Sequence, residues 1–316
     1  MSITVKSDLI SDLELCMPGD LLIKTLNSFN AADVACNHGE HEMLLQSGRS
    51  KVTLPCLPAD EFKLPNVKGE RLATIEMDDD MLEGIRMCLN AVGTDPTHPA
   101  QMGVTIAAVN GKAVFYSTDN TTISRYRSKS ALKLPGDSPI ILPTRFCQQL
   151  LAMSKAYPDD NIDLQVLPGA LRVKFAEKAS LMHKQLVELE PMEFEGVIGK
   201  YFDIASVTSQ GGYSSIPNAF DAAFNRAMMV QSDTPDKKTE VTVGKDCILI
   251  ISTSKMANAD DEIPWEGDFK LPKAFNVDPS HVVRGLKICE AVAFHRQAML
   301  MGSKDGKFLH LISHVS

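Results

Sequence analysis

The sequence predicts an α+β fold of repeated domains, each built of antiparallel sheets and two helices. Three observations predict it. Short strand-like runs follow turn dipeptides, as in Ala113–Ser117 after Asn110-Gly111, Leu171–Phe175 after Pro168-Gly169 and Cys247–Ile251 after Val243-Gly244. Five short amphipathic helical patterns interrupt these runs. The helix starts recur at domain-sized intervals, well beyond the roughly 20–50 residues of a solenoid repeat.

The first helix covers about 19–29, with Leu21, Leu22, Leu26 and Phe29 on one face and Pro18 just before it. Pro143 opens a helix to 156 that turns Phe146, Cys147, Leu150 and Leu151 inward. From 279 to 289, Asp278 can cap, Pro279 can occupy the first turn, and Val282, Val283 and Leu286 face inward. Pro18, Pro143 and Pro279 lie 125 and 136 residues apart, which implies three related domains. A second series consists of Asp78–Val92, striped by Met81, Leu82, Ile85, Cys88, Leu89 and Val92 and ended by Gly93, and 218–231, striped by Ala219, Phe220, Ala223, Phe224, Ala227 and Met228. Their starts are 140 residues apart, so the partner of this series in a first domain would fall before Met1. The expectation is two complete domains preceded by the second half of another.

The 316 residues are 44% hydrophobic and 23% charged, as in soluble globular chains of two or three domains. The longest apolar run, Cys247–Ile251, is far shorter than the roughly 20 residues of a membrane span, and the N-terminus lacks a signal-peptide core. A cytoplasmic setting without membrane contact is expected. Seven scattered cysteines read as buried reduced thiols. With 40 acidic against 32 basic residues, net −8, nothing advertises a uniformly basic surface. The helices depart from that balance: beyond their first turns they carry Lys24, Arg86, Lys155, Arg226, Arg284 and Lys287 against Glu83 and Glu290. Solvated helix surface with favourable C-terminal cations is the plain explanation; repetition over three domains favours a functional one.

Catalytic or metal chemistry finds little support. Cys36-Asn-His-Gly-Glu-His41 offers zinc-type ligands, but as one cluster rather than two pairs, and without an orienting third residue for a Cys–His nucleophile. Gly196-Val-Ile-Gly199-Lys200 is too short for a phosphate loop and has Tyr201 where a hydroxyl of Ser or Thr belongs. Asp78-Asp79-Asp80 reads as a helix cap rather than a magnesium site, and Asp159-Asp160 and Asp260-Asp261-Glu262 as loop carboxylates. No cofactor and no metal are expected.

The stretch Ser47-Gly48-Arg49-Ser50-Lys51-Val52-Thr53-Leu54-Pro55-Cys56-Leu57-Pro58-Ala59-Asp60-Glu61-Phe62 closely resembles the end of the first domain of the bacterial sliding clamp, the beta subunit of DNA polymerase III. Ser117-Thr118-Asp119, Phe220-Asp-Ala-Ala-Phe-Asn-Arg226-Ala and Phe275-Asn276-Val277 match further stretches of that family, in register with the repeats and beginning part-way through its first domain. The resemblance implies a DNA clamp fold closed head to tail into a ring, with 1–66 as the second half of domain 1, 67–197 as domain 2 and 198–316 as domain 3. It implies a non-catalytic processivity factor whose partners are duplex DNA of any sequence, a DNA polymerase, an ATP-driven clamp loader, other proteins with clamp-binding motifs, and a second copy of itself. The six basic residues named above would face DNA. Val52 and Leu54 would meet Met229 and Val230 of the next copy. A peptide groove would be lined by Thr118, Asn120, Thr122, Ile123, Phe194, Val197, Leu311, Ile312, His314 and Val315. The sequence departs from the family there: Asn120-Thr121-Thr122 replaces a Gly-His-Arg-type loop, Gly196 a pocket arginine, and Ile312-Ser313-His314 a Met-Pro-Met-like ending. Two other readings stay open, a clamp-derived interaction module that does not encircle DNA and a cysteine or zinc enzyme using Cys36, His38 or His41. A bacterial and a phage origin are equally compatible, the latter placing the protein in the host cytoplasm.

Overall fold

The computed structural model describes residues 2–3, 15–29, 33–58, 70–176, 179–184, 194, 214–235, 237–265, 274–295 and 298–315. Val197 and the Gly196–Lys200 run lie outside the described residues. The chain divides into two compact units, Thr4–Lys68 and Met1–Ile3 with Gly69–Ser316.

In the smaller unit, Ala35–His38, Glu42–Ser47 and Ser50–Pro55 form an antiparallel sheet in that order, with Met43 opposite Leu54 and Leu45 opposite Val52. The tight turn at Gly48 takes φ +59°, which glycine adopts without steric cost. Met43, Leu45, Leu54 and Cys56 are buried together, with Leu22, Phe29 and Val52 packed against them. Helix α1 (Gly19–Ser28) touches this sheet along strand 50–55. Of the four apolar residues expected to share one face of α1, Leu22 and Phe29 pack against this core. Leu21 and Leu26 stay 43% and 39% exposed, so the stripe is covered only in part.

Among its described residues the larger unit holds three antiparallel sheets and four α-helices of a full turn or more. Ser2–Ile3, Ala179–Lys184, Ala170–Phe175, Ile162–Leu167 and Ala73–Met77 make a five-stranded sheet. Asn258–Pro264, Cys247–Thr253, Thr239–Val243 and Ala274–Val277 make a four-stranded one. The third is an eight-stranded sheet in the order Ile140–Pro143, Gly103–Val109, Lys112–Thr118, Thr122–Ala131, Phe308–Ser313, Ala298–Gly302, Ala291–Phe294, Ser214–Ser215, drawn from two distant parts of the chain. Its middle pairing joins Thr122–Tyr126 to Phe308–Ile312 and makes a seam between two distant parts of the chain.

Helices α2 (Asp79–Cys88) and α3 (Thr144–Ala156) pack on each other, as do α4 (Ala219–Val230) and α5 (Pro279–Leu286). The expected cap residues act as such: Asp78 accepts from Met81 N at 2.8 Å and Asp278 from Ser280 N at 2.8 Å. Asp80, read from sequence as one more capping acid, instead joins the two sides of the seam. It accepts from Tyr126 Oη (2.7 Å), Ser128 Oγ (2.6 Å), Lys129 N (2.8 Å) and Lys307 Nζ (2.6 Å), and these bonds hold its carboxyl well below the usual range despite the opposing effect of burial. Two helices lie on the seam through glycines. A Cβ on Gly84 would sit 2.8 Å from Phe115 Cε2 and 2.9 Å from Tyr126 Cδ1, and one on Gly285 would sit 2.7 Å from Met301 Sδ. Gly84→Leu is therefore expected to lower stability by about 3 kcal/mol through overpacking, despite leucine's better helix propensity. Thermal denaturation checks this, and an unchanged midpoint would refute it.

Four of the seven cysteines, Cys56, Cys88, Cys147 and Cys289, are buried as expected; Cys16 and Cys247 are half-buried. Cys36 is the exception. It lies exposed on strand 35–38, all of whose residues face solvent. No described helix is long and apolar enough to cross a membrane.

Candidate functional site

Residues 118–123 and 311–315 are far apart in sequence and converge at the end of the seam. Asp119 organises the turn there. Its Oδ1 accepts from Thr121 N (3.1 Å), Thr122 N (2.7 Å) and Thr122 Oγ1 (2.8 Å), while Thr118 Oγ1 donates to Thr122 O at 2.7 Å. Asn120 takes φ +70°, a conformation its short amide side chain tolerates, and its Oδ1 accepts from Gln101 Nε2 at 2.6 Å. The second segment is tied to this turn: Ser313 N and Oγ both donate to Thr121 O, at 2.9 and 2.8 Å. Beyond it, the His314 ring stacks on Phe275 at 4.1 Å, and Val315 N donates to Asn276 O at 2.8 Å.

Strand alternation divides the predicted groove residues between two faces. Ile123 and Leu311 lie opposite each other on the face away from the helices, in an apolar cluster with Val114, Tyr116, Leu300 and Leu309. Phe194 joins that cluster and stacks on Tyr116 with centroids 5.0 Å apart. Thr122 and Ile312, also paired, are fully buried, and Ile312 belongs to the helix-side core. These two support the turn from behind rather than line a surface.

The basic residues separate into two groups. Lys24, Lys155 and Lys287 are exposed and make no ion pair among the described residues. The three arginines are engaged. Arg86 grips Glu83 on its own helix with two hydrogen bonds, one of them at 2.6 Å. Arg226 holds Asp261 on strand 258–264, Nε to Oδ2 at 3.2 Å. Arg284 donates to Asp119 Oδ2 at 3.0 Å and to Asn90 O at 3.1 Å, and it also contacts His281. Arg86 and Lys155 line a groove of about 600 Å³ between α2 and α3 whose other charged walls are Glu76, Asp78, Asp79, Glu83 and Asp160, so that stretch is more acidic than basic.

Of the residues expected at a self-contact, Met229 is 65% exposed on α4 and Val230 is half-buried. Val52 is half-buried, and Leu54, at 2% exposure, is sealed inside the core of its own unit. Both neighbours of Leu54 on strand 50–55, Thr53 and Pro55, are exposed, as alternation requires. The strand is an edge of its sheet, as strand 258–264 is of another. Among the described residues no group of three or more His, Cys, Asp or Glu could hold a metal ion.

No protein-family model and no curated protein sequence matches the chain. Solved structures do. A DNA polymerase III beta subunit from Thermotoga maritima superposes with a TM-score of 0.81 at 14% identity, over 99% of this chain and 84% of that one. The fold is that of the bacterial sliding clamp. A DNA polymerase sliding clamp from Pseudomonas aeruginosa gives 0.79 at 16% identity over 99% and 85% of the two chains. A sliding clamp from Bartonella birtlesii, bound to griselimycin, gives 0.78 at 15% over 96% and 82%. At these identities the clamp likeness extends to the fold, and the roles of individual side chains rest on the geometry above. The charged contacts that sequence reasoning missed, Arg284 to Asp119 and Lys307 to Asp80, join residues 165 and 227 positions apart, and no local pattern encodes them.

Proposed function

We propose that this chain is a non-catalytic sliding clamp: a head-to-tail homodimer that encloses duplex DNA, is loaded by an ATP-driven loader, and tethers a DNA polymerase and other motif-bearing proteins through the groove at residues 118–123 and 311–315. The observation that carries the reading is the coincidence of a clamp fold along almost the whole chain with the convergence of those two segments at the seam. Lys24, Lys155 and Lys287 are the residues best placed to attract phosphates, since the three arginines already have acidic or carbonyl partners; attraction of this kind is sequence-blind and weakens with salt. The self-contact pairs edge strand 50–55 of one copy with α4 and strand 258–264 of the next, where Arg49 and Lys51 would meet Asp260 and Glu262.

A second reading has a specific observation behind it. The half-covered α1, with Leu21, Ile23 and Leu26 exposed, fits a clamp-derived module that docks peptides without closing a ring. One measurement separates the two. A ring loaded on circular DNA is expected to stay bound through gel filtration and to be lost once the circle is cut, and replacing Lys24, Lys155 and Lys287 together by alanine should lower the amount loaded. Equal loss from circular and linear DNA would reject encirclement.

A further inference from the structure

The groove turn depends on a residue of α5. Asp119 Oδ1 is fully engaged by the turn's own groups, which leaves Oδ2 to Arg284 at 3.0 Å. The same guanidinium donates to Asn90 O, within the 3-10 turn Leu89–Ala91 that follows α2, at 3.1 Å. The Asp119 side chain is 16% exposed and that of Arg284 35%, so this charge-assisted bond is largely shielded from water. His281, on the same helix and 14% exposed, lies 3.8 Å from Asp119 Oδ2; burial, and then the neighbouring Arg284 charge, hold it below the ordinary histidine value and favour its neutral form. Arg284 is therefore the cation that faces Asp119, and it joins three segments: the end of α2, α5 and the groove turn.

We infer that Arg284 is a positioning residue of the peptide groove rather than a contact for DNA phosphate: by holding Asp119 Oδ2 it fixes the 118–122 turn on which Ile123 and the 311–315 segment are presented. The inference rests on the groove reading, and it assigns to α5 a role different from the DNA-facing one that the resemblance implies. Without the guanidinium, Asp119 keeps its three bonds to the turn, but its outer oxygen loses its charge-assisted donor in a shielded site. The turn then loosens without the domain unfolding.

The test uses the full chain as Arg284→Gln and Arg284→Lys, with amide hydrogen exchange at Thr121 and Thr122 as the first readout. The second is binding of a peptide selected from a random display library against the wild-type protein and retained only if Ile123→Asp abolishes its binding. Arg284→Gln is expected to speed exchange at these two amides and weaken the peptide about tenfold while leaving affinity for a short duplex at its wild-type value. Arg284→Lys, which keeps a cation, should recover most of the peptide affinity. Because Asp119 acts through the same bond, Asp119→Asn should add little to Arg284→Gln. Unchanged exchange and peptide affinity together with weakened duplex binding would overturn the inference and return Arg284 to the phosphate-contacting set. If the library yields no such peptide, the groove reading itself fails, while the exchange measurement still decides whether Arg284 holds the turn.

Discussion

Lowering the pH from 6.5 towards 4 is expected to destabilise the larger unit by about 3 kcal/mol, and the proton responsible goes to His310. This side chain is fully buried on strand 308–313, with Nδ1 at 2.9 Å from Ser124 Oγ across the seam. Burial, reinforced by the charge of Arg284, pushes its pKa from 6.5 down to about 4. In the unfolded chain the ring takes up a proton near its ordinary value; in the folded protein it resists until near 4. Between those limits the unfolded state binds more protons, so the stabilisation is complete above about pH 6.5 and drains away as the pH falls towards 4. His281, also held low, adds in the same direction. Asp80 and Asp119, held below the carboxylate range, contribute only at still lower pH. Urea midpoints at pH 7.5, 5.5 and 4.5 measure the effect. His310→Gln should flatten most of the slope; an equally steep loss in that variant would show that another group takes the proton.

Leu54→Glu is expected to unfold the smaller unit, at a cost of about 3–5 kcal/mol for an unpaired buried charge. Among the described residues its core has four buried apolar side chains, and Leu54 lies opposite a second of them, Met43. Limited proteolysis should cut within 15–58 in this variant and spare the larger unit. Met229→Glu makes the contrast. That side chain is 65% exposed, so the protomer should keep its stability within about 0.5 kcal/mol while self-association falls. Sedimentation showing undiminished oligomer for Met229→Glu would remove α4 from the proposed self-contact.

The helices were legible because each declares itself locally. Pro or Asp at the start of α2, α3 and α5, and an apolar stripe at period 3.6 in all four, place α2 to α5 within a few residues of their observed ends, and the strands follow from Gly-containing turns. The meeting of 118–123 with 311–315 came from family likeness, since strand pairing at such separation leaves no local trace. What escaped was the direction and reach of individual side chains. A long arginine on a polar helix face looks the same in sequence whether it meets water, phosphate or, like Arg284, an aspartate on another element. Strand 50–55 did carry its own signal: Lys51, Thr53 and Pro55 alternate with Val52 and Leu54, the pattern of a strand that turns those two apolar residues towards its own core.

The pairing of strand 122–131 with strand 308–313 also governs how the molecule is made. Ser124 and His310 are 186 positions apart. At about 5–20 residues per second, a ribosome needs roughly 10–40 s to deliver the second after the first. Throughout that interval the nascent sheet has an unfinished edge at 122–131, with Ile123 and Tyr126 awaiting their cover. Completion of the larger unit is thus tied to late synthesis, and a chaperone that shields that edge during translation should raise the soluble yield more than one supplied afterwards.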